Sequence, residues 1–127
     1  MTRFLTLDDV IAIAVQQFGS PPPIRDVGLL DSAVARPAST VMGDDAYPDL
    51  WTKAAALLQS LVGNLALIDG NERLGWTASV VFGALNSDVD VASVDLNGAY
   101  DLVIDVASDS SLTVDSIADR LLVLLGR

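Results

Sequence analysis

The stretch Asp49-Leu50-Trp51-Thr52-Lys53-Ala54-Ala55-Ala56-Leu57-Leu58 decides the fold, because it is apolar on almost every side at helical spacing. A helix that is apolar all round is buried, so the segment 48–64 predicts a central helix. A second nearly all-apolar helix is predicted over about residues 72–85. A loop over residues 65–71 joins the two. The sequence therefore predicts a buried helix pair at the centre of the fold.

Four further helices are predicted around this pair. Thr6-Leu7-Asp8-Asp9 is typical of a capped helix start, and apolar residues recur at helical spacing from there to Gly19. The other three helices are expected over about residues 26–36, 97–107 and 114–125. Residues 38–47 are expected to form a loop, and residues 88–96 a loop or an extended segment. The sequence thus indicates an all-α fold of about six helices, forming one domain over residues 1–127.

The composition excludes several classes of function. The chain has 127 residues, with 7 Lys and Arg against 17 Asp and Glu, so its formal net charge is −10. A field this negative repels nucleic acid and anionic membranes, so neither is expected as a partner. Without cysteine or histidine the chain has no disulfide, thiol nucleophile, Cys/His zinc site or imidazole base. An acid at Asp8 interrupts any signal-peptide core, and a soluble, cytoplasmic protein is expected.

The loop Asp69-Gly70-Asn71-Glu72-Arg73 is the segment that suggests chemistry. Glycine allows a tight turn, and the free amides and positive dipole end of the following helix attract anions. A cation in the first turn of a helix is unfavourable unless an anion lies beside it, so Arg73 suggests a bound phosphate or carboxylate. Asp69 could hold a magnesium ion that bridges phosphate oxygens. The alternative is a plain turn with a solvated arginine.

Residues 65–73, Leu-Ala-Leu-Ile-Asp-Gly-Asn-Glu-Arg, resemble the signature His-x-Phe-x-Asp-Gly-Asn-Lys-Arg of the Doc (death on curing) branch of the Fic/Doc family. Three other segments resemble the same branch in the same order, namely residues 25–33, 42–48 and 53–58. The resemblance covers about residues 4–107. Agreement over four ordered segments is more specific than the nine-residue motif alone.

The resemblance implies a toxin that transfers part of ATP to a protein hydroxyl. Fic members usually transfer AMP, whereas Doc members resemble kinases that pass the γ-phosphate to a threonine of elongation factor Tu. In that scheme Asp69 would hold Mg²⁺, Gly70 and Asn71 would cradle phosphates, and Arg73 would clamp them. The chain lacks the inhibitory Ser/Thr-x-x-x-Glu motif of many Fic proteins. A separate antitoxin is therefore expected as partner, binding through a basic or strongly apolar helix.

Two positions depart from the signature. Leu65 stands where the family has its catalytic histidine, and Glu72 stands where the Doc branch has lysine. Loss of a general base costs about 10²–10⁴-fold in rate. A carboxylate about 4 Å from a phosphate adds roughly 4 kcal/mol of repulsion at an effective dielectric near 20. We therefore expect an inactive copy of the transferase, and the alternative is a non-catalytic module that keeps antitoxin or partner binding.

Three other groups of residues have simpler interpretations. The acidic group Asp88, Asp90 and Asp95 lacks the glycine and terminal glutamate of an EF-hand, so a solvated loop is favoured over a calcium site. Arg25 and Asp26 are expected to form a structural pair.

Aromatic side chains on the central helices are the third group. Trp51 and Trp76 are expected in the core, and stacking on a nucleotide base is the alternative. Tyr47 and Pro48 are expected to pack at the start of the first central helix rather than to take part in catalysis.

Overall fold

Six α-helices make up most of residues 1–126, the part of the chain that the computed structural model describes. They are α1 (Leu7–Phe18), α2 (Val27–Ala35), α3 (Leu50–Gly63), α4 (Asn71–Asn86), α5 (Leu96–Ser108) and α6 (Val114–Leu125). Two short 3₁₀ turns, Arg36–Ala38 and Val91–Ser93, and a small hairpin of β1 (Thr40–Val41) and β2 (Asp44–Asp45) connect them. The predicted all-α fold class is confirmed.

The helix α3 lies at the centre, as its composition predicts. Residues 53–58 are all buried, and α3 packs most extensively against α4 and α6. Gly75 lets α4 come close, because a Cβ placed there would lie 2.8 Å from Cγ2 of Val62. The central pair α3 and α4 is therefore confirmed, and the loop between them carries the motif.

Local signals explain where the helices begin and end. Thr6 and Asp9 form a reciprocal capping box at the start of α1, and Gly19 ends that helix in a left-handed conformation with φ of 78°. Asp49 and Thr52 form a second capping box at the start of α3. These side chains satisfy backbone N–H groups that a helix start otherwise leaves without an acceptor.

The expected loop over residues 38–47 is in part wrong, because it contains the β1–β2 hairpin. Thr40 lies opposite Asp45, and the turn uses Met42 and Gly43, with φ of 53° and 88°. Two consecutive positive φ angles characterise the tight turns that match strand twist in hairpins. Lys53 donates from Nζ to Asp45 Oδ2 at 3.2 Å, which ties the hairpin to α3.

The other boundaries differ by a few residues. The helix α2 ends at Ala35, one residue before the predicted end at Arg36, and a 3₁₀ turn that contains Pro37 follows it. Within residues 88–96, Asp90 caps the other 3₁₀ turn and Asp95 caps α5, so both aspartates have structural partners. No helix within residues 1–126 is both long enough and apolar enough to cross a membrane.

Candidate functional site

The motif loop, residues 65–70 between α3 and α4, is held against the segment that precedes α2. Ile24 and Leu67 form an isolated antiparallel bridge, and the backbone N–H of Arg25 donates to the carbonyl of Ala66 at 2.8 Å. These bonds occupy backbone groups that a free loop would expose to water. The loop is therefore a paired element with a defined conformation.

Leu65 has a backbone conformation that is unusual for leucine. Its φ is 54°, its side chain is 55% exposed, and its carbonyl accepts from Nε and Nη2 of Arg25 at 2.9 and 2.6 Å. The left-handed region favours Gly, Asn, Asp and His over branched residues. The expected pair of Arg25 with Asp26 is wrong, since Arg25 bonds this carbonyl and Asp26 instead caps α2 through the N–H of Leu29.

Asn71 uses its side chain to close the motif loop. Its Oδ1 accepts from the N–H of Leu67 at 3.0 Å, and its Nδ2 donates to the carbonyl of the same residue at 3.0 Å. Both polar atoms of the amide are therefore engaged with the loop backbone. Any contact of Asn71 with a phosphate would have to come from its backbone N–H.

The start of α4 differs from the other helix starts. Gly70 precedes it with φ of 88°, and no side chain caps it, whereas a side chain caps each of the other five α-helices. A Cβ at Gly70 would lie 2.6 Å from Cζ of Phe18, so a larger residue at this position would be strained unless the Phe18 ring moved. The first amides of α4, over residues 71–73, are left without a helical acceptor and lie at the positive end of the helix dipole.

Asp69, Gly70 and Arg73 meet around a cavity of about 260 Å³ at this helix start. Phe18 and the three prolines at 21–23 form its opposite wall. The guanidinium carbon of Arg73 lies 5.0 Å from the ring centre of Phe18, which orients the charge by a cation–π contact. No local pattern in the sequence indicates a role for Phe18 at the site, because Phe18 belongs to α1 and reaches the loop only through the fold.

The exposed carboxylate of Asp69 has one oxygen in use, since Oδ1 accepts from the N–H of Gly70 at 2.9 Å. Among residues 1–126 no group of three acidic, His or Cys side chains comes together as a metal site. Mg²⁺ commonly binds through one or two carboxylates, with phosphates and water completing its shell. Asp69 therefore fits such an ion only when phosphate oxygens share it.

Glu72 lines a different surface from Asp69. It lies with Arg73 and Trp76 at an apolar groove of about 280 Å³ between α4 and α5, where Leu96 and Tyr100 are 75% and 68% exposed. Arg73 lines both the groove and the Asp69 cavity.

Both tryptophans are half-buried and pack against the core, as expected. Trp51 lies beside Gly83 near the far end of α4, whereas Trp76 reaches the groove. Tyr47 also packs near the start of α3, where its hydroxyl accepts from Arg36.

Comparison with known proteins gives two matches. A model of the Fic/DOC family matches residues 4–82. The protein named Toxin Doc from Mycolicibacterium smegmatis is 49% identical over 121 residues, which cover 95% of this chain and 92% of that protein.

Proposed function

Because the chain belongs to the Fic/DOC family, we propose that it is the toxin of a toxin–antitoxin module, built on the scaffold of a nucleotide-dependent transferase. The observation that carries the proposal is the start of α4, which no side chain caps and where Asp69, Gly70 and Arg73 line one cavity. A helix start of this kind favours phosphate groups through its N–H donors and its dipole.

In this proposal the phosphates of ATP lie at the amides of residues 71–73. Arg73 contributes charge-assisted hydrogen bonds, and its contact with Phe18 holds the guanidinium in place. Asp69 holds Mg²⁺ together with the phosphate oxygens. When bound, Mg²⁺-ATP supplies a phosphoryl or adenylyl group for transfer to a hydroxyl of a translation factor such as elongation factor Tu. Such a target would place the action in the cytoplasm.

We propose that this copy is catalytically inactive as it stands. Leu65 has no atom that accepts a proton, and loss of a general base costs about 10²–10⁴-fold in rate. Glu72 adds a negative charge in the first turn of α4, next to the proposed phosphate position. Both it and Arg73 are exposed, so water and salt screen the repulsion below its buried value.

A separate antitoxin is the proposed partner, and the groove between α4 and α5 is the proposed contact. Tyr100 and Leu96 present exposed apolar surface there, beside the charged ends of Glu72 and Arg73. The net charge of −10 favours a partner segment with basic residues around an apolar face. Such a segment would lie directly against the proposed phosphate site, which would couple binding to inhibition.

Restoring the family's residues at positions 65 and 72 tests the transferase proposal. The double variant Leu65→His/Glu72→Lys should arrest growth when induced, and the same variant carrying Arg73→Ala should not. Transfer of label from ATP to purified elongation factor Tu should follow the same order. Equal, harmless expression of both would contradict the proposal.

The second candidate function is a non-catalytic binding module, which the absence of a proton acceptor at position 65 favours. It predicts that the double revertant stays harmless while the unaltered chain still binds its antitoxin. Calorimetry separates ligand binding from turnover. Glu72→Lys alone should raise the affinity for Mg²⁺-ATP without giving turnover, and Glu72→Lys/Arg73→Ala should lose that gain. Equal, negligible heats of binding for both variants would show that the loop is a turn without a role in binding ATP.

A further inference from the structure

A second polar cavity lies away from the motif cavity, where α2 ends beside the second half of α3. Its volume is about 430 Å³, and its lining residues are Ser32, Ala35, Arg36, Ser39, Ser60 and Asn64. None of these carries a carboxylate, although the chain contains 17 acidic residues. The only charged side chain that lines this cavity is a cation.

Arg36 is held rigidly at the wall of this cavity. Its Nε donates to the hydroxyl of Tyr47 at 2.8 Å, and its Nη1 donates to Gln59 Oε1 at 2.8 Å and Ser60 Oγ at 2.9 Å. The guanidinium carbon also lies 5.3 Å from the centre of the Tyr47 ring. All of these partners are neutral, so they fix the position of the charge without balancing it.

The charge of half-buried Arg36 has no counterion among residues 1–126. The ion pairs in that part of the chain join Lys53 to Asp45 and Arg120 to Asp105. The Nη2 atom of Arg36 makes no hydrogen bond to a described residue, and neither do the hydroxyls of Ser32 and Ser39. A partly desolvated charge without a counterion is costly, and binding an anion relieves that cost.

We propose that this cavity binds a small phosphate-type oxyanion, through Nη2 of Arg36 and the hydroxyls of Ser32 and Ser39. A planar guanidinium whose Nε and Nη1 are already held offers the remaining donors of Nη2 to an oxyanion at little entropic cost. The site does not depend on the motif loop or on the proposed transferase activity.

The C-terminal ends of α2 and α3 beside this cavity lower its expected affinity for an anion. Arg36 caps the C-terminal end of α2, and Ser60 lies in the last turn of α3, where carbonyl groups and the negative dipole end favour cations. That field helps to hold Arg36 and opposes an anion. Binding is therefore expected to be weaker than at an uncapped helix start, and the test needs phosphate concentrations up to tens of millimolar.

Nuclear magnetic resonance titration of the full chain with inorganic phosphate, at constant ionic strength, is the test. Saturable shifts are expected at the Nε–H of Arg36 and at the backbone amides around Ser32 and Ser39. Ser32→Asp, which supplies an internal counterion, should weaken binding at least about tenfold. Ser87→Asp makes the same charge change at the C-terminal end of α4, where Ser87 is not a lining residue of the cavity, and should leave binding unchanged.

A parallel titration with AMP identifies the source of the phosphate group. Shifts of equal size with phosphate and AMP support recognition of the phosphate alone, and saturation by AMP only supports a nucleotide phosphate. The proposal is overturned by the absence of saturable shifts with either ligand, by shifts that Ser32→Asp leaves intact, or by shifts confined to Gly70 and Arg73. The last outcome would still support phosphate binding at the motif loop, so the two proposals fail separately.

Discussion

Replacing Gly70 with alanine should destabilise the fold through two separate effects. At φ of 88° an L-residue costs about 1–2 kcal/mol. The new Cβ would also lie 2.6 Å from Cζ of Phe18, and relieving such a contact costs about 1 kcal/mol when a ring can shift. Alanine also lowers the conformational entropy of the unfolded chain, which offsets roughly 0.5 kcal/mol of this destabilisation. We therefore expect a net loss of about 2 kcal/mol in the free energy of unfolding.

Chemical denaturation monitored by tryptophan fluorescence measures this loss, and the chain offers a matched control. Gly63 ends α3 without a positive φ, and a Cβ there would meet no atom within 4 Å. Gly63→Ala should therefore stabilise the protein by about 0.5–1 kcal/mol through helix propensity. In a Phe18→Ala background the steric part of the Gly70→Ala loss should vanish and the backbone part should remain. Equal denaturation midpoints for Gly70→Ala and Gly63→Ala would refute the reasoning.

Three further predictions concern backbone strain, the hairpin and acid stability. Leu65→Asn should stabilise the fold by about 0.5–1 kcal/mol, because asparagine tolerates the left-handed conformation. Ile68→Asn changes another exposed loop residue that lacks a positive φ, and it should not stabilise the fold. Equal denaturation midpoints for the two variants would contradict this prediction. Lys53→Met should speed hydrogen exchange at the amide of Ala46, which donates to Ser39, while α3 stays protected; unchanged exchange would show that the lysine does not hold the hairpin. Hydrogen bonds from the backbone and then the side chain of Thr6 hold the pKa of Asp9 below its usual value of 3.8, so Asp9 stabilises the fold above that pH and this stability is lost as the pH falls through the lowered pKa. The difference in stability between Asp9→Asn and the unaltered chain should therefore be largest near neutral pH and should disappear in acid. A difference that does not change with pH would contradict the lowered pKa of Asp9.

The helices were predictable because their signals are local. The caps at Thr6 and Thr113 lie directly before the helices that they begin, and the apolar stretch at residues 53–58 lies inside the helix that it predicts. The hairpin at residues 40–45 was missed because its strands have two residues each and its turn places Met42, a residue without turn preference, at positive φ. Its anchor is the amine of Lys53, which belongs to another element and gives no local pattern.

The candidate site was predictable only in part, for a similar reason. The spacing of Asp69, Gly70 and Arg73 indicated an anion site, and the fold brings these three residues around one cavity. Sequence reasoning could not place Phe18 beneath Gly70, because that contact depends on tertiary packing. It also did not turn the side chain of Asn71 back to Leu67, a local contact over four residues that depends on the conformation of the loop. The interpretation of Arg25 failed because its partner is a carbonyl 40 residues away.

The conformation of the motif loop does not depend on the side chain at position 65. Arg25 binds the carbonyl of Leu65, and Asn71 binds the backbone of Leu67, so neither contact uses the side chain at position 65. The leucine side chain is 55% exposed and contributes little packing that a histidine would lose. Histidine also tolerates positive φ better than leucine does. Reversion at this position should therefore restore a proton acceptor without rebuilding the loop, so a failure of the double revertant to act on its target would count against the transferase proposal rather than indicate a collapsed site.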